Sequence, residues 1–210
     1  MTQKDKYKIL LVGDSVFDNV PYVDEGKDTV TALRRELSSI ATVDSVAVDG
    51  YTTIEVLFQL IDGVLKDKPK YDFIFLSIGG NDLLVNQEVY LDPSIGIEGQ
   101  RDFLDKIGQR FNAIYNTLRE MSEHVYWLGV YKPYFTPNEF DANYIKKAEQ
   151  AIHDVNHQLG IGGSDKYMFS TSSIVNKPED FTQVIEPSAV GSEKLAKELK
   201  RVIYESIDDI

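Results

Sequence analysis

Ser15 is the side chain of this sequence best placed to act as a nucleophile. It follows Gly13 and Asp14 directly after a short apolar run, residues 9–12. A serine hydroxyl attacks a carbonyl group only when a base takes its proton and when N–H donors hold the oxyanion that forms. The residue types therefore point to acyl transfer, with a base and several donors near Ser15. The same Gly-Asp-Ser turn would equally serve to begin a helix, so the tripeptide alone leaves both interpretations open.

Short apolar runs alternate with segments of helical period along the whole chain. The runs predict five strands, at residues 9–12, 43–48, 73–78, 124–130 and 167–170. Continuous apolar strands are typical of a parallel sheet that is covered on both faces. Residues 1–210 are therefore predicted to form one domain of the α/β class, a flavodoxin-like three-layer α/β/α fold with a five-stranded parallel sheet.

One helix has a clear start in the sequence, because Thr52 and Glu55 form a capping-box pattern. We expect its buried face to carry the apolar residues at helical spacing, Ile54, Leu57, Phe58, Ile61 and Leu65. Residues 83–99 and 131–137 show no such spacing, and we predict them to be the long loops of the fold.

Four segments should meet at the ligand-binding edge of this sheet, since ligands bind beyond the carboxyl ends of parallel strands. The segments are residues 13–19, 49–53, 79–84 and 130–136. Besides Ser15, this edge would carry Asn81 and Asp82. The Asn81 amide and the backbone N–H groups after Gly13 and Gly50 would then be oxyanion donors. Neither a Walker lysine nor the glycine spacing of a dinucleotide site follows Gly13, which argues against a phosphate loop.

The composition narrows the classes of partner. The chain has 34 acidic and 22 basic side chains, a net charge of −12 and a pI of about 4.7. This balance disfavours nucleic acids and anionic membranes. The absence of cysteine excludes a thiol nucleophile and a thiolate metal cluster. No apolar stretch has the length of a signal-peptide core or a membrane span, so we expect a cytoplasmic protein.

The strand-end segments resemble the sequence blocks of the SGNH (GDSL) hydrolases. Gly13-Asp14-Ser15, Gly50 and Gly79-Gly80-Asn81-Asp82 are similar to the first three blocks, and residues 186–191 are similar to the last. The blocks occur in the family's order, so the resemblance covers the whole chain. It implies hydrolysis of an ester or thioester, or removal of acetyl groups from carbohydrates, without a metal or an organic cofactor. The partner would be a small-molecule or carbohydrate acyl ester.

The resemblance also implies roles for particular residues. Ser15 would be the nucleophile. The N–H groups of Ser15 and Gly50, together with the Asn81 side chain, would form the oxyanion hole. Asp14 is expected to hold the turn through backbone hydrogen bonds, and Asp82 to support Asn81 or to cap the segment that follows it. The aromatic residues Phe17, Tyr51 and Tyr131 are predicted to form a substrate wall.

The last block departs from the family pattern of Asp-x-x-His-Pro. This chain has Gln183-Val184-Ile185-Glu186-Pro187 in its place. None of the three histidines is expected to reach Ser15, so Glu186 is predicted to be the base and Gln183 to orient it. The alternative is a catalytically impaired SGNH-like binding protein, in which Glu186 only places negative charge at the start of the last helix. The acyl group, the choice between hydrolysis and transfer, and the oligomeric state stay open at this point.

Overall fold

The central sheet contains five parallel strands. They are β1 (Tyr7–Gly13), β2 (Ala41–Ser45), β3 (Phe73–Ser77), β4 (His124–Leu128) and the short β5 (Tyr167–Phe169). Their order is β2-β1-β3-β4-β5, and every neighbouring pair is parallel. This computed structural model describes residues 6–62, 70–136, 140–160 and 167–208. The order is that of flavodoxin-like folds, which confirms the predicted α/β class.

Helices cover both faces of the sheet. They are α1 (Thr29–Leu37), α2 (Thr53–Ile61), α3 (Gly80–Val85), α4 (Glu88–Leu91), α5 (Gly96–Arg119), α6 (Ala142–Gly160) and α7 (Ala189–Asp208). Leu10 and Val12 of β1 face the core under α2, α5 and α6. Ile9 and Leu11 face the core under α1 and α7. Both sets are fully buried, as a strand between two helical layers requires.

The capping box of α2 is confirmed. Of the residues expected on its buried face, Leu57 packs partly buried against the core, but three others are exposed. Thr52 accepts a hydrogen bond from the backbone of Ile54, while the Glu55 carboxylate accepts one from Thr52. The buried apolar residues are Val56 and Leu60, and the exposed ones are Ile54, Phe58 and Ile61. The helix carries apolar side chains on two faces, so their spacing does not select the face that packs. Leu65 lies outside the described residues.

Residues 83–99 are not a loop, contrary to prediction. They contain the end of α3, all of α4 and the start of α5. Helices of six and four residues are too short for a periodic apolar pattern to stand out. Residues 131–136 are irregular, as predicted, and residue 137 lies outside the described residues.

A second, very small sheet lies apart from the main one. It pairs β6 (Phe181–Thr182) with β7 (Glu186–Pro187) in antiparallel register, so the chain reverses direction between them just before α7. In the described part of the chain, no helix combines the length and the apolar character that crossing a membrane would require.

Candidate active site

The turn after β1 is built around a position that only glycine can occupy. Gly13 has φ +133°, and a Cβ there would overlap the backbone oxygen of Ser77 on the neighbouring strand. The Asp14 carboxylate then accepts hydrogen bonds from the Ser77 hydroxyl at 2.7 Å and from the backbone N–H of Val16 at 3.2 Å. Asp14 is thereby bonded both to the backbone of its own turn and to the neighbouring strand β3. These bonds fix Ser15 at the carboxyl edge of the sheet.

Asn19 connects this turn to the segment that carries Glu186. Its side chain is fully buried and donates to the Pro187 carbonyl at 2.9 Å and to the Ser192 hydroxyl at 2.8 Å. Its amide oxygen accepts from the backbone N–H of Thr29 at 2.9 Å. The start of α7 and the strand β7 are thereby attached to the β1 turn, so Glu186 is held at the same edge as Ser15.

Asp180 secures the other side of this segment. Its fully buried carboxylate pairs with the Lys194 ammonium at 2.6 Å and accepts from the backbone N–H groups of Asn176 and Lys177. Its backbone carbonyl accepts from the N–H of Ser188 at 2.9 Å. These contacts lower the pKa of Asp180 against the opposing effect of burial. Asp180 is therefore a structural carboxylate that joins α7 to the hairpin.

Ser15 and Glu186 meet in a buried setting, each with only 7% of its surface exposed. Burial raises the pKa of the Glu186 carboxyl, a hydrogen bond with the Ser15 side chain lowers it, and the charge of Asp49 raises it. Among the described residues, the Oε2 atom of Glu186 has no hydrogen-bond partner although it is buried.

A second buried carboxyl lies in the same patch. Burial raises the pKa of Asp14 to about 7, the bonds from Ser77 and Val16 oppose this rise, and the charge of Glu186 adds to it. The pKa of the Tyr131 hydroxyl is also raised, by burial and by the charges of Glu186 and Asp14. Asp14, Glu186 and Tyr131 therefore influence one another electrostatically at this edge.

Asn81 is fixed at the start of α3. Gly79, with φ +108°, makes the turn into this helix, and a Cβ there would press on Leu159, Val155 and Val130 at 3.2–3.4 Å. The Asn81 amide donates to the Tyr51 carbonyl at 3.0 Å, which leaves its second N–H for another acceptor.

The neighbouring Asp82 holds a different helix. Its carboxylate accepts from the backbone N–H of Thr53 at 2.9 Å and from the Thr53 hydroxyl at 2.6 Å, at the first residue of α2. Burial raises the pKa of Asp82, and these bonds together with the Arg110 charge lower it. These bonds reach neither Asn81 nor the segment that follows Asp82, but the start of the earlier helix α2. Asp82 attaches the Asn81 turn to α2.

A cavity of about 330 Å³ opens at this edge, within the size range of small-ligand sites. Six of the predicted site residues border it: Asp14, Ser15, Asn81, Tyr131, Gln183 and Glu186. Most of its other lining is apolar and comes from α3, α4, α6 and residues 130–135. Within the described part of the chain, the backbone N–H groups of Ser15 and Gly50 have no assigned acceptor.

Two members of the predicted substrate wall are not in the wall. Phe17 is fully buried in the core beneath α1 and α7, because the chain turns inward after Ser15. Tyr51 packs against the opposite core, and its contribution to the site is the carbonyl that holds Asn81. Gly50 lies in the exposed turn before α2 and does not border the cavity, so its role in the oxyanion hole stays a prediction. Tyr131 does border it.

Gln183 reaches the cavity without the predicted bond to Glu186. Among the described residues, no hydrogen bond joins the Gln183 side chain to that carboxylate. Instead Gln183 and Val184 have φ +48° and +73°, and the N–H of Ile185 donates to the Gln183 carbonyl at 2.9 Å. This is a γ-turn of a strained kind, rare for a β-branched residue such as Val184. The Tyr131 hydroxyl holds it by donating to the Ile185 carbonyl at 2.6 Å.

The three histidines lie away from Ser15. His124 begins β4 and stacks on Phe73 with ring centroids 5.2 Å apart. His153 and His157 are exposed on α6 and stack on each other at 6.3 Å. None of them borders the cavity.

Sequence reasoning missed the contribution of α6 to the cavity. Asn156 exchanges two hydrogen bonds of 2.8 Å with the backbone of Val130, so the last turns of α6 lie level with the end of β4. The first half of the helix therefore extends past the sheet edge and forms a wall. The period-3.6 pattern of α6 identified the helix, but no local signal in the sequence shows how far it projects.

Comparison with known proteins identifies solved structures that share this fold. No family model matches the chain. It is 28% identical to the protein described as "Uncharacterized protein YpmR" of Bacillus subtilis (strain 168), over 95% of this chain and 82% of that protein. It superimposes on the lipase Lip_vut3 from a goat rumen metagenome with a TM-score of 0.72 and 19% identity, over 93% of this chain and 97% of that one. It also superimposes on a member of the lipolytic G-D-S-L family from Veillonella parvula DSM 2008 with a TM-score of 0.67 and 14% identity. This superposition covers 93% of this chain and 97% of that one. The fold predicted from the resemblance to SGNH (GDSL) hydrolases is therefore confirmed.

Proposed function

We propose that this protein is a serine-dependent ester hydrolase in which Glu186 replaces the histidine base. The observation that carries the proposal is that Ser15 and Glu186 are both 7% exposed, border the same cavity at the carboxyl edge of the sheet and interact through their side chains. The lipolytic and lipase descriptions of the structural neighbours support the same reaction class.

The steps follow from the positions of these groups. Glu186 takes the proton of the Ser15 hydroxyl while the Ser15 oxygen attacks the carbonyl carbon of the ester. The oxyanion that forms accepts from the N–H of Ser15 and the second N–H of the Asn81 amide. Collapse of this intermediate releases the alcohol, which receives the proton from Glu186. A water molecule then gives a proton to Glu186 and attacks the acyl-enzyme. The bond between the acyl carbon and the Ser15 oxygen breaks, the carboxylic acid leaves, and Glu186 returns the proton to Ser15.

A glutamate is a weaker base than a histidine by roughly 2 pKa units, so its surroundings must compensate. Burial raises the pKa of Glu186 in the required direction. The pKa of the neighbouring Asp14 is about 7, so below that pH Asp14 is mostly neutral and leaves the negative charge to Glu186. A neutral Glu186 after proton transfer also needs no orienting aspartate, which is consistent with glutamine at position 183.

Hydrolysis of short p-nitrophenyl esters tests the proposal. We expect Ser15→Ala to lower kcat/KM by about 10³-fold or more and Glu186→Gln to lower it by at least 10²-fold. Ser39→Ala and Glu123→Gln replace exposed residues of the same types and should leave the rate unchanged. Equal rates for wild type and Ser15→Ala would overturn the assignment of the nucleophile.

The competing function is that of a binding protein without turnover, favoured by the distance of all three histidines from the cavity. Mass spectrometry after exposure to a serine-directed phosphonate separates the two. A covalent adduct on Ser15 that is lost in Glu186→Gln supports the hydrolase. An unmodified Ser15 together with no ester turnover supports the binding protein.

A further inference from the structure

The cavity continues well beyond the groups that the proposed reaction uses. Past Asn81 it runs between α3–α4 and the projecting half of α6. We call this part the acyl channel. It is bordered by Leu84, Tyr90 and Leu91 on one side and by Tyr144, Ala148 and Ala151 on the other.

Two contacts hold the walls of the acyl channel together. The Tyr90 hydroxyl donates to the Asp154 carboxylate at 3.3 Å, and the Lys147 ammonium donates to the Leu91 carbonyl at 3.2 Å. The Tyr90 hydroxyl and the Lys147 ammonium are thereby engaged with the protein. The remaining surface offers mainly CH groups, which suits methylene groups and gives a sugar ring few partners for its hydroxyls.

The direction of the proposed reaction decides which half of the ester enters the channel. The alcohol must leave on the side of Glu186, because that carboxyl returns the proton to it. The acyl group then points away from Glu186, past Asn81 and between α4 and α6. The channel therefore lies on the acyl side of the reacting carbonyl.

The size of the cavity sets the length of the acyl group. At about 30 Å³ for each group of the size of water or methylene, 330 Å³ holds roughly ten such groups. An acetyl group would leave most of this volume unfilled. Part of the volume belongs to the reacting centre, so an acyl chain of about six to ten carbons fits the rest.

We propose that the substrate is an ester of an unbranched acyl chain of about six to ten carbons, and that Ala148 and Ala151 set the chain length. This inference rests on the proposed ester hydrolysis. Ala151 is buried and Ala148 is half-buried, and both border the cavity on the same face of α6. A larger side chain at either position would occupy the space of the last methylene groups.

A series of p-nitrophenyl esters from acetate to dodecanoate tests the length. We expect kcat/KM to rise by about two- to fourfold per added methylene until the channel is full, and then to stop rising or fall. Ala148→Leu and Ala151→Leu should each shift the optimum to shorter chains by two carbons or more. Each should lower kcat/KM for the octanoate ester at least fivefold more than for the acetate ester.

Ala142→Leu is the matched control, because Ala142 is exposed at the start of the same helix and does not border the cavity. It should leave the whole chain-length profile in place. Circular dichroism on each variant confirms that α6 is folded, and two independent positions guard against one that misfolds. An acetate ester hydrolysed as fast as the octanoate ester, or a profile that neither leucine shifts, would overturn the acyl channel while leaving ester hydrolysis intact.

Binding without turnover separates the two proposals. Calorimetric titration of Ser15→Ala with octanoate and with acetate should show binding of octanoate alone, weakened at least fivefold when Ala151→Leu is added. If wild type hydrolyses no ester but this pattern holds, the channel stands and the hydrolase proposal fails. If neither hydrolysis nor octanoate binding occurs, both proposals fail.

Discussion

The side-chain amide of Asn19 donates a hydrogen bond to the backbone carbonyl of Pro187 at 2.9 Å, across 168 positions of sequence. This contact joins the turn that carries Ser15 to the strand that carries Glu186. The two side chains come from the first and the last strand–helix connections of the fold. Their relative position therefore depends on a third residue that takes no part in the proposed chemistry.

Asn19→Ala should weaken both the fold and the proposed reaction. It leaves the Pro187 carbonyl and the Thr29 N–H without their partner in a fully buried place, so we expect a loss of about 2–4 kcal/mol in the free energy of unfolding. We also expect kcat/KM to fall at least tenfold, since β7 is no longer held. Urea unfolding and ester kinetics measure the two effects. Asn143→Ala, at an exposed position of α6, is the control. Unchanged kinetics in folded Asn19→Ala would contradict this account.

Asp49→Asn should shift the pH dependence of ester hydrolysis. The charge of Asp49 raises the pKa of Glu186, so its removal lowers that pKa and the base stays ionised to lower pH. The acid limb of kcat/KM should move to lower pH by a few tenths of a unit, with little change at the plateau. Asparagine still accepts from the Tyr22 hydroxyl, which bonds to Asp49 at 2.7 Å. Asp44→Asn removes another carboxylate that accepts from a tyrosine, Tyr71, and should cause no shift.

The buried carboxyl of Asp14 should make the protein less stable as the pH rises. The folded-state pKa is about 7 and the ordinary value is 3.8, so between these values the folded state holds the extra proton. Stability contributed by this proton is present at low pH and is lost toward pH 7. Asp14→Asn keeps an acceptor for Ser77 and should flatten that decline in urea unfolding between pH 5 and 8. Asp62→Asn, an exposed change, should leave the slope as it is.

Gly13→Ala and Gly50→Ala should differ sharply in cost. Both residues have positive φ, +133° and +79°, but an added Cβ at position 13 overlaps the Ser77 carbonyl and at position 50 meets nothing within 4 Å. We expect a loss of about 3 kcal/mol or more for Gly13→Ala, or no folded protein, and about 1–2 kcal/mol for Gly50→Ala. Thermal unfolding measures both. Similar stabilities of the two variants would show that β1 moves to admit the Cβ.

Much of the fold was accessible from the sequence, because fully apolar strands and glycines at their ends are local signals. Those signals also brought Ser15 and Asn81 to one edge, since the carboxyl ends of parallel strands meet there, whereas Glu186 was assigned to the site only through the resemblance to the SGNH hydrolases. The buried face of α2 was not accessible in this way. Its two apolar faces compete, and only contact with α5 and the sheet selects Val56 and Leu60.

The walls of the site were less predictable than its reacting groups. Phe17 has an aromatic side chain of the kind that lines substrate pockets, but the direction of the chain after Ser15 places it in the core. The bond from Asn19 to Pro187 and the projection of α6 arise between segments far apart in sequence. Both features depend on how helices of a given length pack on the completed sheet. A short sequence pattern carries no information about that packing.

The projecting half of α6 has a consequence for how this protein can diversify. Tyr144, Lys147 and Ala148 border the cavity, yet they belong to neither of the two hydrophobic cores that hold the sheet. Replacements there remake the ligand pocket at little expense to folding, since surface positions outside a core tolerate change. One fold with one reacting pair can thus give rise to related proteins that differ in substrate specificity, while the residues that keep it folded stay the same.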